Sequence, residues 1–192
     1  MTFNRFIKAF SVGGALFCLQ SLDSTLYAQT SAEINSSYFQ SLYSRNLGPS
    51  TMSGRITSIV GTVQENQVNL YVGTAGGGIW KSLNGGVTFI PLFDKYCQSI
   101  GALAIDPKSA KTIYAGTGES NMRNSVSIGD GIYKTTDAGA NWQKIGLDST
   151  EHISKIIIDP TDSKHIWVAA PGPLWSASNH RGLYETKDGG KT

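Results

Sequence analysis

The chain has little charge of either sign to spare. Its 16 Lys and Arg nearly cancel its 14 Asp and Glu, leaving a net +2 over 192 residues. That balance excludes the electrostatic footprint of a nucleic-acid or membrane-surface binder. Cysteine is also scarce, with only Cys18 and Cys97. Two cysteines this far apart do not make a disulfide scaffold. His152 and His180 come with no third ligand in a metal-binding pattern, so neither a metal nor a cofactor is expected. Glycine, by contrast, is abundant at 22 residues, spread between short runs rich in β-branched and aromatic residues. That distribution implies many tight turns.

The first thirty residues differ from the rest. Arg5 and Lys8 precede the apolar run Ala9 to Leu19, and Leu26-Tyr27-Ala28 stands before Gln29 as a cleavage site. This pattern reads as a secretory signal peptide over residues 1–28 and predicts an extracytoplasmic location. The run is too short to span a membrane, so no span is expected after its removal. A buried N-terminal helix is the alternative. After cleavage only Cys97 would remain.

One turn motif occurs three times. The copies are Ser82-Leu83-Asn84-Gly85-Gly86-Val87-Thr88-Phe89, Thr135-Thr136-Asp137-Ala138-Gly139-Ala140-Asn141-Trp142 and Thr186-Lys187-Asp188-Gly189-Gly190-Lys191-Thr192. Asn84, Asp137 and Asp188 fall 53 and 51 residues apart. A fixed period of this size signals stacked repeats. Aligning the repeats on the motif predicts up to four short strands in each. The first strands are 55–60, 99–105 and 152–158, two of them running into Asp-Pro. The second are 69–73, 112–116 and 165–169, and the third 78–82, 131–135 and 182–186. A fourth strand begins at Phe89 and at Trp142, and none follows Thr192.

Antiparallel four-stranded units of this length predict an all-β fold, a β-propeller with blades at about 55–93, 99–147 and 152–192. A solenoid of stacked sheets is the alternative. The first strands are small and apolar, as beside a crowded axis. The third strands alternate apolar, aromatic and charged residues, as near a blade's outside. The segment 29–48 contains Tyr43-Ser44-Arg45-Asn46-Leu47-Gly48, which is similar in character to Trp142 to Leu147 and is a candidate ring-closing strand. Two full blades and a partial third within 49–192 do not close a ring. The expectation is therefore an incomplete propeller whose remaining blades belong to a longer chain.

The three motifs resemble the Asp-box, or BNR repeat. From about Tyr43 to Thr192 the chain resembles Asp-box propellers of the sortilin/VPS10-like and glycosyl-hydrolase-like group. Tyr71-Val72-Gly73-Thr74 and Tyr114-Ala115-Gly116-Thr117-Gly118-Glu119 add to that resemblance, as do the Asp-Pro strand ends. It implies a structural role for Ser82, Asn84, Gly86, Phe89, Thr135, Asp137, Gly139, Trp142, Thr186, Asp188 and Gly190. The acid or amide accepts backbone hydrogen bonds, the glycine takes a left-handed conformation, and the aromatic packs between blades. Phe89 stands where Trp is usual and should pack less fully.

Propeller topology places the long loops on the face opposite these turns. The candidate ligand-binding residues there are Arg55, Glu119, Asn121, Arg123, Asp130, His152, Trp175, His180 and Arg181. Arginine suits carboxylate ligands, and an exposed Trp suits a sugar face or a peptide side chain. The alternative is that Glu119, Arg123 and Asp130 merely pin their loop through ion pairs.

Two function classes follow. One is an exported binding or scaffold module for a protein or carbohydrate ligand. The other is a glycoside hydrolase, which needs two carboxylates flanking the bond. Glu119 and Asp130 are the weak catalytic candidates, and a second carboxylate would lie in later blades. The acid that xyloglucanase-type relatives carry after the second strand of the first blade is absent from Gly73 to Gly78. The resemblance therefore leans away from an enzyme.

Overall fold

A computed structural model describes Asn35, residues 55–64 and residues 66–192. The expected signal segment 1–28, the segment 29–48 apart from Asn35, and Met52-Ser53-Gly54 lie outside the described residues. Eleven strands are described, all within Asn46–Thr192. Blade one holds β1 (Ile56–Gln64), β2 (Gln67–Thr74), β3 (Ile79–Ser82) and β4 (Ile90–Pro91). Blade two holds β5 (Ile100–Asp106), β6 (Ser109–Thr117), β7 (Ile132–Thr135) and β8 (Gln143–Gly146). Blade three holds β9 (Lys155–Ile158), β10 (Ile166–Ala170) and β11 (Gly182–Thr186). Neighbouring strands are antiparallel and follow one another in chain order within each sheet.

Several strand boundaries depart from the sequence expectation, as at β1, β6 and β9. β1 continues to Gln64, because Asn66 takes a left-handed φ of 61° and lets the hairpin close with Gln64 opposite Gln67. β9 begins at Lys155, not His152. Ahead of it the backbone turns toward blade two instead, and Ile153 N donates to Thr117 O at 3.1 Å.

The third strands stand third of four in blades one and two, and they are buried there. Ile79, Trp80 and Ser82 of β3 are enclosed, as are Ile132, Tyr133 and Thr135 of β7. Phe93 and Tyr96, which follow β4, meet Tyr133 with ring centroids 5.2 and 5.5 Å away. Phe93 is fully buried and also meets Trp142 edge-on at 5.1 Å. Burying one such aromatic side chain contributes about 1.5–3 kcal/mol, so this cluster is a principal tie between blades one and two.

The same joint recurs from blade to blade. A Cβ on Gly73 of β2 would lie 2.7 Å from Ile100 Cγ2 of the next blade. A Cβ on Gly116 of β6 would collide with Ile153 in the same way. Each glycine is thus the seat for the next blade's first isoleucine, and Ile100 and Ile153 are both fully buried. Farther out, Lys81 Nζ donates to Ala138 O at 3.1 Å, and Lys134 Nζ donates to Gly189 O at 3.1 Å. Each lysine also lies over a tyrosine of its own blade, Tyr71 and Tyr114. Every clamp therefore grips the following blade's turn motif.

The three turns share one hydrogen-bond pattern. Ser82, Thr135 and Thr186 donate their hydroxyls to Asn84, Asp137 and Asp188 at 2.9, 2.7 and 2.8 Å. Each hydroxyl oxygen accepts from Gly86, Gly139 or Gly190 N at 2.8, 3.1 and 3.0 Å. Those glycines sit at φ of 96°, 93° and 91°, a region that excludes most side chains. The N–H of Thr88, Asn141 or Thr192 closes the loop on the acid or amide at 2.9, 2.9 and 3.0 Å. Asn84 substitutes for Asp because its carbonyl accepts the same bonds. Phe89 is half-buried, whereas Trp142 is buried.

Candidate functional site

The seats fix which residues are equivalent at the loop end of the first strands. Ile100 and Ile153 occupy matching seats, so the residues before them, Ser99 and His152, correspond. A register shift after Ile56 matches one after Ile100, which makes Arg55 the counterpart in blade one. Arg55, Ser99 and His152 thus hold one ring position in three successive blades.

Glu119 joins this ring. It follows β6 and Gly118, whose φ is 84°. A Cβ on Gly118 would overlap Glu151 O, so only glycine lets the chain pass here. Glu119 is fully buried, and its carboxylate faces Arg55 in a two-pronged ion pair. Arg55 Nε donates to Oε1 at 2.7 Å, and Arg55 Nη2 donates to Oε2. Glu119 N donates to Ser99 Oγ at 3.0 Å, and that hydroxyl donates to Ser127 O at 2.9 Å. The Arg55 side chain keeps 35% of its surface open. The Glu119 hydrogen bond raises the guanidinium's pKa further, so its charge is permanent.

His152 is 2% exposed, and its Nδ1 has no hydrogen-bond partner among the described residues. Burial pushes its pKa down, against the opposing pull of the Glu119 backbone and of Glu151 and Glu119. It is therefore a neutral imidazole enclosed behind the rim. Glu119 and His152, both expected on the loop face, are enclosed, because the Gly118 passage draws one inward and the turn toward blade two draws in the other.

Asp130 is held from several sides. Tyr133 Oη donates to Oδ2 at 2.6 Å, Thr117 Oγ1 donates to Oδ1 at 3.2 Å, and Lys144 Nζ lies 3.7 Å from Oδ2. Burial, followed by this bond to Asp130, pushes the Tyr133 hydroxyl well above its usual pKa. Asn121 and Arg123 are exposed on the same long loop. The third blade's loop displays Trp175, 71% exposed, and His180. Arg181 is turned into that loop, where its Nη2 donates to Pro173 O at 2.5 Å and Ser176 O at 3.1 Å.

The structure thus brings Arg55, Glu119 and His152 to one place and leaves Asn121, Arg123, Trp175 and His180 displayed on loops. Sequence reasoning missed Ser99, which anchors the Glu119 backbone. The signal was its place ahead of Ile100, matching that of Arg55 ahead of Ile56. Among the described residues no group of three His, Cys, Asp or Glu is placed to hold a metal. No helix among them is long and apolar enough to cross a membrane.

No family model matches the sequence, and no curated protein does. Solved structures do match. An ancestral GH74 enzyme aligns over 71% of this chain and 18% of its own length, at 18% identity and a TM-score of 0.54. A GH74 enzyme of Niastella koreensis aligns over 61% of this chain and 18% of its own, at 25% identity and 0.47. The GH74 xyloglucanase of Xanthomonas campestris aligns over 77% and 25%, at 21% identity and 0.42. This chain spans less than a fifth of the first enzyme's length. At that identity the likeness to the ancestral enzyme concerns architecture: residues 55–192 form two four-stranded blades and a three-stranded third of an incomplete β-propeller.

Proposed function

We propose that this chain is an exported Asp-box propeller module that binds a protein or carbohydrate ligand on its loop face. The turn hydrogen bonds described above support the Asp-box reading, and the pattern of residues 1–28 supports export. One observation carries the binding reading. The Arg55 guanidinium is locked by buried Glu119 yet remains one-third open. A cation fixed in this way presents its remaining donors at a set angle, which suits a carboxylate. The preferred ligand class is therefore an acidic one, an acidic sugar or an acidic peptide, and the exposed Trp175 on the third blade's loop offers an apolar platform.

Hydrolysis is the weaker reading. Both Glu119 oxygens are engaged by Arg55 and the residue is enclosed, so it would have to leave that pair before meeting a substrate. Arrayed acidic and neutral glycans and peptides, probed with this chain and with Arg55→Lys, test the proposal. Binding restricted to carboxylate ligands and weakened at least tenfold by Arg55→Lys is expected. Binding indifferent to the carboxylate, or to Arg55, would overturn it.

A further inference from the structure

The long loop of blade two, residues 119–130, is held at its start, middle and end. Gly118 N donates to Ser99 O at 2.7 Å, and Glu119 N donates to Ser99 Oγ at 3.0 Å. At the far end Ser99 Oγ donates to Ser127 O at 2.9 Å, and Gly129 N donates to Glu151 O at 2.6 Å. The two ends cross closely, since a Cβ on Gly129 would lie 2.3 Å from Gly118 N. Midway, Arg55 Nη2 makes a long bond of 3.4 Å to Ser125 O. The loop is thus pinned by Arg55 from blade one and by Glu151 from the link into blade three.

Arg123, Asn124 and Ser125 line an open hollow of about 400 Å³ on this loop. Volumes of roughly 300–1,000 Å³ are usual for small-ligand sites. All three residues are exposed, and none is apolar. Arg55 reaches the same place through Ser125. An extended chain advances about 3.3–3.6 Å per residue, so positions 123 and 125 stand at most about 7 Å apart. The acids that could quench Arg123 are committed elsewhere. Glu119 pairs with Arg55, and Asp130 and Asp148 flank Lys144 at 3.7 and 2.8 Å. Arg123 enters no ion pair among the described residues, so it does not pin the loop as Glu119 and Asp130 do. A cation without a counter-charge, beside a second arginine, raises the local potential and favours an anion.

We infer that this hollow is a second acid subsite, and that the ligand is a glycan carrying successive carboxylates, a run of uronic acids. The inference rests on the binding reading above and specifies its ligand. Arg55 takes one carboxylate and Arg123 the next. The Asn124 amide and the Ser125 hydroxyl each offer a donor and an acceptor, which suits the hydroxyls of the sugar rings. An acidic peptide would bring aliphatic stems instead, and no apolar wall receives them.

Titrations of this chain with trigalacturonate, its methyl ester, the galacturonate monomer and triglutamate test the inference. The trimer should bind with a Kd on the order of 100 μM, and the monomer about tenfold more weakly. Arg123→Gln should weaken the trimer about tenfold, to the monomer's affinity, and leave the monomer unchanged. Asn124→Ala, which keeps the charge, should weaken the trimer about threefold. Both substitutions lie at exposed positions and should leave the melting curve unmoved. Trimer binding indifferent to Arg123 would overturn the inference, and a loss with Arg55→Lys in the same assay would leave the binding reading standing. Equal binding of triglutamate would overturn it in favour of a peptide. Equal binding of the methyl ester, or no binding of any acid at about 10 mM, would overturn the binding reading as well.

Discussion

Replacing Phe93 by Ala probes how the blades are joined. Phe93 is fully buried and touches Tyr96 at 4.8 Å, Tyr133 at 5.2 Å and Trp142 at 5.1 Å between centroids. Truncating a buried Phe costs about 3–5 kcal/mol, from lost transfer energy plus the cavity left behind. Domains of this size are stable by about 5–15 kcal/mol in total, so this one change should remove a large share. Guanidinium denaturation would read it as a fall in midpoint at constant slope. Phe93→Leu is the calibrating variant, because Leu147 holds the matching place one joint later, its carbonyl accepting from Thr150 N as Phe93 O accepts from Tyr96 N. It should cost about 1–2 kcal/mol. Hydrogen exchange should show β3 and β4 losing protection before β9 and β10, since the damage lies between blades one and two. If Phe93→Ala cost less than about 1 kcal/mol, or loosened all three blades equally, the cluster would not be the joint described here.

Other expectations follow from single contacts. Gly118→Ala should destabilise by more than about 3 kcal/mol, because its Cβ would meet the Glu151 backbone and not a movable side chain; a melting curve checks it. Asp137→Asn should lower the melting temperature less than Asp137→Ala, since Asn84 makes the same acceptor contacts in blade one. His152 titrates lower folded than unfolded because it is buried, so the unfolded state binds the extra proton and stability should fall as pH drops below about 6.5. His152→Gln should flatten that slope in pH-resolved denaturation. Asp137, held down to about 2 chiefly by the Asn141 backbone bond, acts in a separate window: its contribution is present above the unfolded value near 3.8 and is lost below it.

The repeat was legible because the turn chemistry is local. Ser or Thr, Asp or Asn, and Gly satisfy one another within seven residues, so the spacing of three such sets fixes the blades without any long-range contact. The burial of the third strands in blades one and two was not legible, because it comes from elsewhere. Phe93 and Tyr96 cover Tyr133 from the preceding blade, which no pattern within 131–135 records. The candidate site was half legible for the same reason. Topology alone gathers Arg55, Glu119 and His152 at one end. The burial of Glu119 depends on a left-handed glycine and a carbonyl 33 residues away, Gly118 against Glu151.

The glycine seats and lysine clamps also give the stack a polarity. At both described joints the earlier blade offers a hollow and a cation, and the later one brings an isoleucine knob and a turn carbonyl. Such a joint is head-to-tail, and nothing in its geometry limits how many copies follow. Any limit must be written in side chains. Blade three carries such a change: Ala169 occupies the seat position, and Glu185, bonded to His165 at 2.6 Å, occupies the clamp position. A methyl narrows the hollow, and a carboxylate accepts where lysine donates. A surface that packed here in the same way would need a smaller knob and a hydrogen-bond donor.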